Sequence, residues 1–450
     1  MKIAIVGAGP TGLVAGYDLV KAGHQVRIFE KEANYGGLVS TTPAGKGRVE
    51  RFYHHVFTGD KEFMEVAKEL SLTVRMRWQT PCNGIYLNNR LYPFTSPLDL
   101  LLFPELNFYC RVALGLLICR ARRLADWREL ENIPAKEWIV RQAGAEVYEK
   151  VWGPLLRSKF AEEAANISAA WMWNKFKQRG STRSRNFQRE LLGYLDGSFM
   201  ILYDRLAREV EKGGGEIFLS EAVQEIVSQP DQTLVVSSGK RKERFDKVIV
   251  TLPPQALPKL CPALPEIYRR QLEGLSYQAN ICLLLELERP LSSYYWITVA
   301  EEGAPFVAVI EHTNLVPAEE YGGHLVYLSR YLRPDNKLYT VSDARVKEIF
   351  LNYLRKIFPE WQDSWVRSSR VYRSAYAQPV ATTGYSRKIP AYRTPVPHLY
   401  LASMAQIYPE DRGQNYALRS GREVARIAQS SQKCPTYPVW RDYFCESGPA

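Results

Sequence analysis

At 450 residues the chain is longer than one simple core requires and suits two intertwined domains, and its 46% hydrophobic and 24% charged content is that of a globular protein, not a disordered or fibrous one. The net charge of +11 is uneven: residues 111–189 hold 16 Lys or Arg against 8 Asp or Glu, a net +8. These basic residues fall in no recognised nucleic-acid motif, which argues against that partner and leaves two readings, a face for an anionic partner or a solvated surface.

A first strand beginning at Lys2 leaves no room for a leader peptide, and no apolar run reaches the roughly 18 residues of a spanning helix. The nearest, Leu106 to Cys119, is broken by Arg111. Seven cysteines (Cys82, Cys110, Cys119, Cys261, Cys282, Cys434 and Cys445) are scattered without metal-ligand spacing, so they read as reduced thiols of a cytosolic protein.

The chain opens on KIAIV, a β-branched run suited to a buried parallel strand, and turns at Gly7, Gly9 and Gly12 into a helical pattern predicted over Pro10 to Ala22, with Thr11 in its first turn. Gly7 permits the tight turn, Gly9 lets a pyrophosphate approach the backbone, and Gly12 lets helix pack on strand, so the helix N-terminus can aim free N–H groups at phosphate. A second strand, Gln25 to Phe29, ends at Glu30, 18 residues past Gly12, where a carboxylate can accept from ribose hydroxyls, with Lys31 beside it. Strand, glycines, helix and acid in this order predict a dinucleotide site, FAD or NAD; the alternative is an ordinary strand-turn-helix.

The continuation through Gly36, Gly37 and Leu38 resembles the flavin-dependent amine oxidase superfamily, which includes protoporphyrinogen oxidases, phytoene-type desaturases and UDP-galactopyranose mutases. In that family a Gly-Gly pair after the ribose acid passes close to the FAD diphosphate. Many members carry Arg next, where this chain has Leu38. The resemblance implies an α/β fold in which a Rossmann-like, glutathione reductase-like FAD-binding domain interleaves with a substrate domain of helical block and mixed β-sheet. The expected flavin domain is discontinuous, 1–59, 190–265 and 391–432; residues 60–189 form the helical substrate or membrane-type part, 266–390 the mixed sheet, and 433–450 a tail.

Further along, the segment from Arg51 to Phe57 contains His54 and His55, which the resemblance brings near the flavin or the substrate; hydrogen-bonded structural roles are the alternative. An amphipathic helix is predicted from Asp60 to Leu70, and Ile85 to Tyr92 reads as a hairpin turning at Asn88 and Asn89. Residues 96–179 pattern as helix. Within them, Leu106 to Leu124 sets an apolar stretch beside Arg120, Arg122 and Arg123, read as a buried core helix, with a membrane-surface helix as the other reading. Trp152 to Phe160 resembles a PLLRGKF-like stretch of protoporphyrinogen oxidase-like proteins; its Arg157 and Lys159 hold a substrate anion or pair with Glu162 or Glu163. Arg179, Arg183, Arg185 and Arg189 lie in a Ser- and Gly-containing loop.

A helix is predicted from Gly197 to Lys212, then strands at Glu216 to Leu219 and Ala222 to Val227, where the resemblance puts Val223 against the adenine. A hairpin of Thr233 to Val236 with Phe245 to Thr251 ends in a DxVIxTxP-like element that includes Thr251. Alternation from Cys282 to Leu332 predicts strands, with Glu311, His312, Arg330 and Arg333 at their ends, facing a pocket or forming edge salt bridges.

The closing segment resembles the family's last strand, Gly-Asp and helix. Gly413, Asn415, Tyr416 and Ala417 open that helix, whose positive end faces the flavin pyrimidine in relatives. Ser403 and Met404 stand where Gly-Asp is usual, leaving Asp411 as a substitute acid. No Cys or His falls between Ser403 and Ala417, so non-covalent FAD is expected. The resulting expectation is an FAD-dependent oxidase, dehydrogenase or desaturase acting on an anionic small molecule, in which His54, His55, Arg157 and Arg330 are the candidate catalytic residues. A mutase-like, non-redox flavoenzyme acting on a nucleotide sugar is the alternative.

Overall fold

The computed structural model describes residues 1–181 and 190–430. Lys2–Val6 is the central strand of a five-stranded parallel sheet, ordered Glu216–Phe218, Gln25–Phe29, Lys2–Val6, Lys247–Val250, Leu399–Leu401. Ile3, Ala4 and Ile5 have no exposed surface, as a strand covered on both faces requires, which is why KIAIV shows no alternation. Chain order reverses about this strand, since its two neighbours come from residues 25–29 and 247–250. That reversal opens a crevice beyond the strands' C-terminal ends, and the first glycine turn sits there.

Helices Pro10–Lys21, Met200–Lys212 and Gln414–Gln429 share one apolar core with this sheet. Gly421 makes the closest helix contact: a Cβ there would stand 2.4 Å from the Thr11 carbonyl oxygen. The opening and closing helices are thereby locked side by side, with their N-termini at the same crevice.

A seven-stranded mixed sheet is built mainly from Tyr277–Leu287, Trp296–Val299, Ala308–Glu311, His324–Leu332 and Val366–Pro379, with the hairpin Asn83–Leu87 and Arg90–Pro93 at its far edge. Alternation along His324–Leu332 sends Val326, Leu328 and Leu332 into a cluster with helix Asp343–Ile357, and Tyr327 toward the core of the parallel sheet. The helical block, including Phe108–Arg123, Ala135–Ala143, Gly153–Phe160 and Ala169–Ser181, packs around its own core of Trp138, Trp152, Trp171 and Trp173.

Two expectations change. Leu234–Ser238 pairs with Lys242–Phe245, not with residues 245–251, because Lys247–Val250 is taken by the central strand, and a parallel strand with both edges filled cannot also close a hairpin. Helix Phe108–Arg123 is a core helix on one side only: Leu114, Leu117 and Ala121 are buried, whereas Phe108 (66%), Tyr109 (84%) and Leu116 (49%) face solvent. Among the described residues no helix is long and apolar enough to cross a membrane. The loop arginines Arg183, Arg185 and Arg189, Cys434, Cys445 and the 433–450 tail lie outside the described residues.

Candidate active site

The first glycine turn shows where space is filled and where it is open. Gly7 has φ +105°, in the left-handed region, and its N–H donates to the Phe29 carbonyl at 2.8 Å. A Cβ on Gly12 would lie 2.0 Å from the Gly7 oxygen, so that position is closed by the protein itself. A Cβ on Gly9 would meet nothing within 4 Å, so the turn is open there. Gly36 and Gly37, at φ +110° and +56°, form a second turn over the first, and a Gly37 Cβ would stand 3.4 Å from the Gly9 Cα.

Glu30 is buried at the end of its strand, where one carboxylate oxygen accepts from the Ala8 N–H at 2.9 Å and the other from the Glu32 N–H at 3.0 Å. A carboxylate accepts about four hydrogen bonds, so about two acceptor positions remain for ligand hydroxyls. Helix Gln414–Gln429 begins at Gly413 without a side-chain cap, which leaves its first N–H groups for another acceptor. Two uncapped helix N-termini, an open glycine turn and a buried acid fit a dinucleotide.

Beyond the second glycine turn lies a small cavity of about 30 Å³, lined by Leu38, Phe52, Tyr53, His54, Asn280, Tyr331, Ala377 and Arg412. Tyr53 and Tyr331 share a hydrogen bond of 3.1 Å, and Arg412 donates to the Tyr331 hydroxyl. His54 Nδ1 lies 2.7 Å from the Phe52 carbonyl, which only accepts, so the proton sits on Nδ1 and Nε2 carries the free lone pair. Burial lowers the His54 pKa to about 4, so the ring is neutral at physiological pH.

Behind this cavity is an ion cluster. Asp411 accepts from Lys159 at 3.1 Å, from Gln378 at 2.9 Å and from the Arg412 N–H at 3.1 Å, and it also pairs with Lys175. Burial alone would raise the Asp411 pKa, but Lys159, Lys175 and Arg412 hold it well below the usual carboxylate range. Burial, with Lys175 and Arg412 nearby, lowers the Lys159 pKa to about 7 against the pull of Asp411.

The sequence signature of the flavin containing amine oxidoreductases matches residues 10–428. The chain belongs to this family. Among curated proteins, 15-cis-phytoene desaturase of Synechococcus elongatus is 22% identical over 96% of this chain and 96% of its own, and zeta-carotene desaturase of Synechocystis sp. is 22% identical over 96% and 98%. Among solved structures, an oxidoreductase from Methanosarcina mazei superposes with a TM-score of 0.75 at 19% identity, covering 95% of this chain and 100% of that one. A reduced UDP-galactopyranose mutase gives 0.74 at 15% identity over 96% of each chain, which is a likeness of fold. As a flavin containing amine oxidoreductase the protein is an FAD-dependent enzyme acting on a small molecule, and the non-redox mutase alternative is not favoured, since family and full-length curated relatives are redox enzymes.

Within this amine oxidoreductase the other expected site residues are spread out. Pro10 is the first helical residue, and the Thr11 hydroxyl donates to the Ala417 carbonyl at 3.1 Å, bridging the two helices. Lys31 is exposed and pairs with Glu32, and Val223 opens the strand Val223–Ser228. The Thr251 hydroxyl donates to the Val6 and Gly7 carbonyls, bracing the glycine turn from behind. The Asn415 side chain accepts from the Phe63 N–H at 3.0 Å. Tyr416 lines a separate cavity of about 220 Å³ with Asp60, Asn174 and Lys177. Met404 packs against the helical-block core.

Several placements are corrections. His55 lies away from the small cavity: its Nδ1 bonds the Tyr295 hydroxyl at 2.9 Å amid Phe57 and Trp296. Arg330 is on the opposite sheet face from Tyr331, donating to the Ala304 carbonyl, because neighbours in a strand point opposite ways. Arg157 is exposed 3.5 Å from Glu149, whereas Arg333 takes the edge salt-bridge alternative, with Glu162 and Asp335. Asp411 lies in the ion cluster with Lys159 and Lys175. Glu311 accepts from the Leu291 and Ser292 N–H groups, and His312 bonds the Tyr321 hydroxyl. Tyr53, Tyr331, Asn280 and Arg412, which line the small cavity, were not among the expected residues. The signal available for them was weak: Tyr53 adjoins the paired histidines, and Arg412 directly precedes Gly413.

Proposed function

We propose that this enzyme oxidises an anionic small molecule on non-covalently held FAD, in the crevice where the glycine turns meet the mixed sheet. The observation that carries the reading is convergence: Leu38 after the second glycine turn, Tyr331 and Asn280 of the sheet, and Arg412 before the closing helix line one cavity. In this reading residues 1–59, 190–265 and 391–432 make up the flavin domain. Gly9, Pro10, Gly36, Gly37 and Gly413 let the diphosphate and ring approach the backbone, Gly7 and Gly12 shape the turn that brings them there, and Glu30 holds the ribose.

Bound FAD supplies the hydride acceptor. The chain's own residues then bind and orient the substrate. Leu38, Phe52 and Ala377 exclude water. His54 presents a neutral Nε2 as acceptor, and the Tyr53–Tyr331–Arg412 chain fixes polar groups opposite it. The carotenes named for the desaturase relatives are apolar, whereas Arg412 at this cavity and Lys159 behind it support a charged substrate for this chain.

The exposed face of Phe108–Arg123, with Phe108, Val112 and Leu116 one helical turn apart and Arg120 and Arg123 continuing the same side, supports peripheral contact of a cytosolic protein with an anionic membrane surface. Co-sedimentation with phosphatidylglycerol vesicles, lost in Phe108→Ser/Leu116→Ser, tests it.

The reading itself is tested by anaerobic addition of candidate substrates to the yellow holoenzyme. Bleaching of the flavin by substrate alone is expected. A requirement for an added reductant, with product isomeric to substrate, would restore the mutase alternative. Colour that stays with acid-precipitated protein would show a covalent link.

A further inference from the structure

The cluster behind the cavity holds more positive than negative charge. Asp411 divides one negative charge between Lys159 and Lys175, and Arg412 has no carboxylate within 4 Å of its guanidinium among the described residues. Its Nε is buried without a hydrogen-bond partner. Lys159 and Arg412 face the same ring, that of Tyr331, at 5.6 and 5.7 Å from its centroid. A guanidinium N–H left unpaired away from water is costly, so a partner of opposite charge is the arrangement's natural completion.

We propose that Arg412, with Lys159 behind it, forms a binding site for a carboxylate carried by the substrate, with Asp411 as the residue that positions Lys159. This rests on the reading that the cavity beside Leu38 is where substrate is oxidised. Size and shape select the anion. About 30 Å³ is room on the order of two waters, which suits the two oxygens of a carboxylate and not a diphosphate. The planar guanidinium offers Nε and a terminal nitrogen as a fork that matches a planar carboxylate.

The arrangement also sets a pH dependence. Lys159 gives up its proton near pH 7 in the free protein, and a bound carboxylate favours the protonated form. Anion affinity is therefore greatest below about 7 and falls above it. The other groups facing Lys159 do not supply this step. Asp411 titrates far lower, Arg412 is held above the ordinary arginine value, and Tyr53, which reaches the cluster through Tyr331, is pushed well above the ordinary tyrosine value. His54 on the cavity's other wall titrates near 4. Lys175 completes the set around Asp411.

The test is calorimetric titration of the FAD-loaded protein with benzoate, benzamide and inorganic phosphate, with flavin absorbance followed in parallel. Benzoate is expected to bind at least about tenfold tighter than benzamide and tighter than phosphate, and to shift the flavin spectrum. Its affinity is expected to weaken as pH rises from 6 to 8.5 in the wild type, and to weaken about tenfold at pH 6 in Arg412→Gln with bound FAD retained. Lys159→Met should flatten the pH profile, a readout that needs no turnover. Equal binding of benzoate and benzamide, a flat wild-type profile, or benzoate binding that leaves the flavin spectrum unchanged each overturns the proposal. Flavin bleaching by neutral substrates together with absent benzoate binding would sink this site alone and leave the oxidoreductase reading standing.

Discussion

The two ends of the crevice are built on opposite principles. At the glycine turns the chain makes its site by omission: side chains are missing where phosphate must approach, and backbone N–H groups do the binding. At the Tyr331–Arg412 end it makes the site by accumulation, bringing side chains from separated segments onto one small cavity. Omission leaves a local pattern in the chain, whereas accumulation leaves none, because the contributors are separated by up to hundreds of residues.

The sharpest way to break this contrast is within the first turn itself. Gly12→Ala puts a methyl 2.0 Å from the Gly7 oxygen, between a helix and a strand that cannot separate. Overpacking of this kind costs about 3 kcal/mol or more, so low yield, a depressed Tm and loss of FAD are expected together. Gly9→Ala meets no protein atom within 4 Å. Its apoprotein Tm should match wild type while FAD affinity falls roughly 5- to 150-fold, for about 1–3 kcal/mol of crowding on the ligand side. Equal Tm losses in both variants would mean that Gly9 is a packing residue too.

At the other end, Asp411→Asn leaves Lys159 and Lys175 without their counter-charge, and breaking a buried pair costs about 3 kcal/mol. The wild-type Asp411 pKa is depressed, so its contribution is complete above the ordinary carboxylate pKa near 3.8 and is lost only as pH falls below it. Denaturation midpoints of wild type and Asp411→Asn should therefore differ at pH 6 and converge in strong acid. Lys159 gives a slope of the same sign in a higher pH window. Its proton is bound more tightly in the unfolded chain between about pH 7 and 10.5, so wild-type stability rises through that window. Lys159→Met should remove the rise.

How much was legible follows the same division. KIAIV, the Gly7–Gly12 spacing, Glu30 and the Gly36–Gly37 pair each depend on neighbours within a few tens of residues, and all lie together at the crevice. Arg330 shows why strand residues were harder. Period-2 alternation says that Arg330 and Tyr331 face opposite ways, but which face meets the crevice is decided by helix Asp343–Ile357 covering the other one. Lys159 and Arg157 are two residues apart on a short helix and so point differently; their partners, Asp411 and Glu149, come from unrelated distances along the chain.

A smaller effect tests the ribose acid. Both Glu30 oxygens already accept backbone N–H groups, so Glu30→Ala disturbs the turn as well as the ligand. Glu30→Gln keeps one carbonyl acceptor. Because its amide nitrogen must face one of the two N–H donors, it should weaken FAD about tenfold with a small fall in Tm, while Glu30→Ala weakens FAD further and lowers Tm more. Flavin fluorescence titration and melting curves measure the two separately.

The smallest effect expected is that of Arg157→Ala, and it divides the two lysine- and arginine-bearing positions of one helix. Arg157 is 45% exposed and 3.5 Å from a Glu149 that is 52% exposed, a surface pair that side-chain entropy and solvent screening reduce to about 0–0.5 kcal/mol. It lies outside the cavity that Arg412 lines, so FAD content, substrate KM and kcat should all stay near wild type. The same measurements on Lys159→Met, two residues on, should show a raised KM for an anionic substrate, because its ammonium sits 3.1 Å from Asp411 and over the Tyr331 ring. A raised KM in Arg157→Ala with Lys159→Met unchanged would reverse the assignment, placing the anion on the outer surface of the helical block and leaving the ion cluster as a purely structural tie between that block and the closing helix.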